Sequence, residues 1–174
     1  MLRVALVGDS HLTDTSPRAV VKLGPRLRTM GYEVLTLARG GLDSRRALLD
    51  QPPDGVDWSI YSFGTNDAAP WKRIPPDEFA ENYATLLART TDHCQLVLGP
   101  PPVIESDGAG GRTNALVREY TQIASRTAHE HGATFLALSD HLGSADLVDD
   151  GVHLNDNGYS TVTRLVTAVL AQAT

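Results

Sequence analysis

The chain has 174 residues, of which 41% are hydrophobic and 21% are charged, and its formal net charge is −6. This length fits a single domain over residues 1–174, and the acidic balance argues against a nucleic-acid partner, because phosphate binding requires a basic face. The only cysteine is Cys94, which excludes an internal disulfide and a cysteine-based metal site.

Five short apolar runs of strand length alternate with segments of helical periodicity. The predicted strands are residues 3–7, 33–38, 58–63, 95–98 and 134–138. A first helix is predicted to begin at Ser16-Pro17, and Gly24-Pro25 is expected to kink or split it. Three more helices are predicted, beginning at Asp77, covering residues 114–131, and beginning near Asp156. The segment 105–112, which has three glycines, is expected to be a surface loop.

This alternation predicts an α/β fold in which helices cover both faces of a five-stranded parallel sheet. In such folds, ligands bind beyond the carboxyl ends of the strands. Four motifs lie after predicted strands or after the segments that follow them: Gly8-Asp9-Ser10, Gly40-Gly41, Gly64-Thr65-Asn66-Asp67 and Asp150-Gly151-Val152-His153. We therefore expect these motifs to meet at one edge of the sheet.

The residue types in these motifs indicate nucleophilic catalysis. A serine is a weak nucleophile unless a base takes its proton, so Ser10 requires a partner, and His153 is the best candidate. Asp150, three residues before His153, is expected to orient the imidazole, with Asp149 as a weaker choice. On its own, an Asp-x-x-His turn would indicate only a local capping contact.

Together the four motifs resemble those of the SGNH hydrolases, also called the GDSL esterase and lipase family, over residues 4 to about 160. The resemblance implies a three-layer flavodoxin-like sandwich and a serine esterase that forms an acyl-enzyme and uses no cofactor. It also implies an oxyanion hole formed by the backbone N–H of Ser10, the N–H of Gly41 and the Asn66 amide, with Gly40 as the alternative glycine. His11 departs from the family, which usually has an apolar residue after the serine.

Five further residues are assigned to substrate binding or to the cleft around it: Asp9, His11, Gly40, Asp67 and Trp71. Asp9 is expected to organise its loop. His11 is expected to form part of the cleft wall or to make a hydrogen bond, because an adjacent residue rarely reaches the serine hydroxyl. The structural alternatives are a strand-to-helix turn for Gly40-Gly41 and a helix N-cap for Asn66-Asp67. No metal is expected at His129-Glu130-His131, since helical residues two apart do not face each other.

Short connections around the motifs and an aromatic content of only 6% argue against a groove for a long acyl chain. Acetyl esters of a small polar or carbohydrate substrate are therefore expected, with a lysophospholipase or thioesterase, or a non-catalytic binding module, as alternatives. Trp71 is either a stacking surface for a sugar or a core residue. Five basic residues near two of the motifs either mark a polar or anionic substrate or lie on solvated faces: Arg39, Arg45, Arg46, Lys72 and Arg73.

Other functional classes fit the sequence poorly. It lacks a usable Gly-x-Gly-x-x-Gly or phosphate loop, which disfavours a nucleotide- or flavin-binding protein. It also lacks the Gly-x-Ser-x-Gly elbow of α/β-hydrolases. We expect no membrane insertion, because no apolar window is long enough, and a cytoplasmic location, because the chain starts with strand-like residues.

Overall fold

The computed structural model describes residues 1–173, and within them it forms a parallel sheet of five strands. The strands are β1 (Arg3–Gly8), β2 (Glu33–Thr36), β3 (Trp58–Ser62), β4 (Cys94–Leu98) and β5 (Thr134–Leu136). Their order in the sheet is β2-β1-β3-β4-β5. All five predicted strands are present, and β5 ends early because residues Leu138–Asp140 form a 3-10 turn. The predicted α/β fold is confirmed.

Helices cover both faces of the sheet, as predicted. They are α1 (Leu23–Thr29), α2 (Ser44–Ala47), α3 (Pro76–Ala88), α4 (Asn114–Glu130) and α5 (Asp156–Leu170). One hydrophobic cluster joins the sheet to α1 and α5, and a second joins it to α2, α3 and α4. Across residues 1–173, none of the helices is both long enough and apolar enough to cross a membrane.

The side-chain pattern explains why these segments form the layers. Every residue of β3 is buried, which is typical of a central strand with helices on both faces. Ile60 packs into the α1 and α5 cluster, and its neighbour Tyr61 packs into the other one. In α5, the buried residues recur three or four positions apart, so a single stripe faces the sheet. That stripe includes Tyr159, Val162, Val166 and Leu170.

Two helices differ from the sequence-based expectation. The first begins at Leu23 rather than at Ser16, so Gly24-Pro25 lies in its first turn, where the missing N–H of proline costs nothing. Ser16 instead accepts a hydrogen bond from the N–H of Arg18 in an irregular segment. The four-residue helix α2 was not predicted, because it is too short to show a periodic apolar stripe.

The close approach of β1 and β3 depends on Gly8. A Cβ at this position would lie 2.4 Å from the carbonyl oxygen of Ser62, which is far inside normal contact distance. Because Gly8 directly precedes Asp9 and Ser10, this pairing determines where the chain leaves the sheet and therefore where Ser10 is placed.

Candidate active site

The predicted motifs follow β1, β2 and β3 and precede α5, and contacts join them at the carboxyl edge of the sheet. Ser10 Oγ lies 2.9 Å from His153 Nε2, although 143 residues separate them in sequence. His153 Nδ1 lies 2.7 Å from Asp150 Oδ2. A cleft of about 270 Å³ contains Ser10, Gly40 and His153. Asn66 is linked to the segment after β2 by donating through Nδ2 to the carbonyl of Leu42 at 3.0 Å.

Asp150 determines which nitrogen of His153 faces the serine. One carboxylate oxygen accepts the backbone N–H groups of Val152 and His153, each at 2.9 Å, and the other faces Nδ1. A carboxylate accepts hydrogen bonds, so the ring proton lies on Nδ1 and the lone pair of Nε2 is directed at the Ser10 hydroxyl. Asp149 is 88% exposed and its carboxylate pairs with Arg18 rather than with the imidazole.

The pKa values of both partners are displaced downward. Burial opposes ionisation of Asp150, but hydrogen bonds from the backbone and ring of His153 outweigh it and bring the pKa of Asp150 to about 2. Burial also lowers the pKa of His153, as does its electrostatic interaction with His11, while Asp150 partly compensates. The site therefore holds an ionised carboxylate beside an imidazole that favours its neutral form.

Lys22 anchors the segment that carries Ser10. Its ammonium donates to the carbonyl of Ser10 and, at 2.7 Å, to the hydroxyl of Thr13. The side chain is buried and lies on the floor of the same cleft. Arg18 also lines this cleft, and its guanidinium lies 3.1 Å from Asp150 Oδ2. Neither residue belonged to the predicted site.

In the described part of the chain, four backbone and side-chain N–H donors of the predicted motifs are free of protein acceptors. Within residues 1–173, the N–H groups of Ser10, Gly40 and Gly41 donate to no protein acceptor, and the Asn66 amide keeps one N–H beyond the one bound by Leu42. Gly41 has a φ of +71°, which favours glycine, whereas Gly40 has an ordinary φ. The geometry leaves both glycines available as donors.

Arg112 fixes the orientation of Asn66 and was not predicted to do so. Its buried guanidinium donates to the carbonyl of Thr65 at 2.6 Å and to Asn66 Oδ1 at 3.3 Å. It also lies 4.8 Å from the ring centroid of Trp71, which is itself 63% exposed. The segment Glu105–Arg112 was expected to be a surface loop, but its last residue, Arg112, contacts Thr65 and Asn66. No sequence pattern marks this arginine.

Three residues assigned to substrate binding or to the surrounding cleft are buried: Asp9, His11 and Asp67. Asp67 accepts the N–H groups of Ser44 at 3.0 Å and Gly64 at 3.1 Å, so it ties the loop after β3 to α2. Burial raises the pKa of Asp67 to about 6, against the effect of these hydrogen bonds. Such positions organise loops, and they offer no exposed surface to a ligand. Gly40 lines the cleft, and Trp71 lies exposed beside Arg112.

Three of the five basic residues near the motifs are paired with carboxylates and therefore do not form a free anion site. Arg39 pairs with Asp50 at 2.8 Å, Lys72 pairs with Asp43 at 2.7 Å, and Arg45 pairs with Glu78. A larger groove, of about 990 Å³, runs along α4, and neither Ser10, Asn66 nor His153 lines it. Ser10 and His153 therefore share the small cleft and lie apart from the groove along α4.

Comparison with known proteins agrees with this geometry. The profile of the GDSL-like lipase/acylhydrolase family matches residues 6–160. A lipase/acylhydrolase from Enterococcus faecalis is 19% identical, with a TM-score of 0.82 over 98% of this chain and 95% of that one. A carbohydrate acetylesterase from Sinorhizobium meliloti is 16% identical, with a TM-score of 0.77 over 100% of both chains. An acetylxylan esterase from Geobacillus stearothermophilus is 17% identical, with a TM-score of 0.76 over 96% of this chain and 93% of that one. No curated protein matches the chain by sequence.

We predict that His153 titrates below the ordinary histidine pKa of 6.5, because burial, the largest cause, disfavours the imidazolium. A pH series of NMR spectra of the imidazole protons measures this midpoint, and His153→Gln identifies the resonance. In Asp150→Asn the midpoint should fall further, because the carboxylate that stabilises the imidazolium is gone. A midpoint at or above 6.5 in the unmodified protein would contradict the electrostatic picture of the site.

Proposed function

Because this chain belongs to the GDSL-like lipase/acylhydrolase family and is an ester-hydrolysing serine hydrolase, we propose that Ser10 is its nucleophile and that it removes acetyl groups from a small polar or carbohydrate substrate. One observation carries the assignment of the nucleophile. Ser10 Oγ lies 2.9 Å from His153 Nε2, and the opposite nitrogen of that ring lies 2.7 Å from Asp150. This is the arrangement that converts a serine hydroxyl into a nucleophile.

The first half of the reaction transfers the acyl group to the protein. His153 Nε2 accepts the proton of Ser10 as Oγ attacks the ester carbonyl carbon. The Asp150 carboxylate stabilises the imidazolium that forms. When the tetrahedral intermediate collapses, His153 returns this proton to the alcohol oxygen, which leaves, and the acyl group stays on Ser10.

The second half releases the acid. A water molecule enters the position vacated by the alcohol, and His153 takes one of its protons as the oxygen attacks the acyl carbon. Collapse of the second tetrahedral intermediate breaks the bond to Ser10 Oγ, which regains its proton from His153. The carboxylic acid then leaves the cleft.

Negative charge develops on the carbonyl oxygen of the ester in the transition state. Hydrogen-bond donors that are already positioned around this oxygen stabilise it. The free N–H of Asn66 and the N–H groups of Ser10 and Gly41 are assigned to this role, with Gly40 as the alternative glycine. Removal of one such donor in serine hydrolases costs roughly 3 kcal/mol of transition-state stabilisation. The hydrogen bond from Arg112 to Asn66 Oδ1 supports the assignment, because it keeps the N–H side of the amide from rotating away.

Three features support a short acyl group on a polar carrier. The cleft is small, about 270 Å³, and it is lined by hydroxyl and cationic side chains as well as by apolar ones. A long acyl chain needs an extended apolar groove, which this cleft does not provide. Trp71 exposes 63% of its surface and contacts Arg112 at the Asn66 side of the site, where its ring can stack against a sugar. Two of the proteins that share the fold are described as esterases of acetylated carbohydrates.

Replacement of Ser10 by alanine should lower ester hydrolysis by a factor on the order of 10⁴–10⁶, because the members of such a triad act as a unit. Initial rates with p-nitrophenyl acetate measure the loss, and circular dichroism checks that the variant is folded. Ser139→Ala is the matched control, since Ser139 is exposed and does not line the cleft that contains Ser10. Undiminished turnover in folded Ser10→Ala would exclude the serine mechanism.

The size of the cleft predicts a preference for short acyl groups. In a series of p-nitrophenyl esters, kcat/KM for the acetyl ester should exceed that for the octanoyl ester by about tenfold or more, because the additional methylenes find no apolar groove. Release of acetate from acetylated xylose tests whether the protein accepts an acetyl group on a polar carrier. A higher kcat/KM for octanoyl than for acetyl esters would instead indicate a lipase or thioesterase.

A further inference from the structure

His11 occupies a buried position between the loop of Ser10 and the loop of His153. Its Nδ1 lies 3.0 Å from Asp9 Oδ1, and its Nε2 lies 3.1 Å from the carbonyl oxygen of Val152. The side chains of His11 and Asp9 are 3% and 1% exposed. The imidazole thus bridges two loops that are 141 residues apart in sequence.

The acceptors on both sides determine how many protons the ring carries. A carbonyl oxygen can only accept, so Nε2 must bear a proton, since a lone pair there would face a lone pair in a buried site. Asp9 Oδ1 already accepts the backbone N–H of His11 at 2.9 Å and therefore faces Nδ1 as an acceptor as well. An oxygen that accepts the backbone N–H is the acceptor for the ring as well, so the proton between Asp9 Oδ1 and His11 Nδ1 is assigned to the ring.

The surroundings of Asp9 favour the same assignment. Its second oxygen, Oδ2, is buried and has no hydrogen-bond partner within residues 1–173. A neutral His11 would leave this carboxylate without an ion-pair partner in direct contact, and burying an unpaired charge is costly. With both ring nitrogens protonated, the pair is neutral as a whole, and its positive member is the one that faces the catalytic histidine.

The ring of His11 lies close to the ring of His153, with centroids 5.7 Å apart at an interplanar angle of 30°. We propose that His11 is a positively charged positioning residue that joins the Ser10 and His153 loops and keeps His153 in the neutral, proton-accepting form. This inference rests on the proposed function, in which His153 is the base. It assigns a role to the residue at which this chain departs from the usual family pattern.

Several other charged or titratable groups surround His153, and the effect of His11 adds to theirs. They are Asp150 on its own loop, Arg18 paired with Asp150, and Lys22 beside Ser10. Tyr159 of α5 donates to the carbonyl of His11 and keeps the backbone of this segment in place. Asp150 raises the pKa of His153, whereas burial, His11 and Lys22 lower it. Among the neighbouring charged groups, His11 contributes most to this lowering. Without His11, only burial and Lys22 oppose the effect of Asp150, so the pKa of His153 should rise.

The test compares His11→Gln and His11→Leu with the unmodified protein. Glutamine keeps a donor for Val152 but has no charge, and leucine removes both hydrogen bonds. In each variant, the acid limb of kcat/KM for p-nitrophenyl acetate should move to higher pH, by about half a unit to one unit, because a cation no longer opposes protonation of His153. His129→Gln removes an exposed histidine on α4 and should leave the limb unchanged.

Two NMR measurements separate failure of this inference from failure of the proposed function, because they need no substrate. In the unmodified protein at neutral pH, both ring nitrogens of His11 should show the ¹⁵N shifts of protonated nitrogens. The titration midpoint of His153 should rise in His11→Gln. A single protonated nitrogen on His11 would overturn the proposal. It would also be overturned if the His153 midpoint and the acid limb stayed unchanged in both variants, even if kcat fell.

Discussion

Buried and half-buried carboxylates that accept backbone N–H groups hold the loops of this site in place. Asp9 binds the N–H of the residue two positions later, Asp150 binds those two and three positions later, and Asp67 binds one N–H in its own loop and one at the start of α2. Parallel strands all end at the same edge of the sheet, and the loops that leave it have no ladder partners of their own. A carboxylate provides several acceptor positions, so one side chain can fix a whole turn.

The same contacts determine the electrostatics of the site. Each buried carboxylate needs a cation or several donors nearby, and Lys22 and Arg112 supply positive charge within an otherwise acidic chain. Positive charge next to the imidazole favours its neutral form, while Asp150 keeps the Nδ1 proton in place. The same charged side chains therefore hold the loops in position and favour the neutral form of His153. A substitution that displaces a loop should also change the pKa of His153.

Much of this arrangement follows from the sequence. The apolar runs predict the sheet, and the topology of a parallel sheet brings Ser10 and His153 to one edge across 143 residues. The start of α1 and the whole of α2 were not predicted correctly, because a turn held by Ser16 and a helix of four residues leave no periodic signal. Arg112, Arg18 and Lys22 escaped prediction for another reason. Long side chains reach the site from irregular segments, and only their three-dimensional contacts reveal their targets.

Covalent labelling with a fluorophosphonate, followed by intact-mass and peptide mass spectrometry, tests directly whether Ser10 is the nucleophile. If Ser10 is the activated nucleophile, each chain should take one label, located on Ser10, and the label should be lost in His153→Ala and in the denatured protein. Labelling depends on the activated hydroxyl and needs no knowledge of the natural substrate. A folded protein that takes no label, or that takes it on a different serine, would contradict the assignment of Ser10 as the nucleophile.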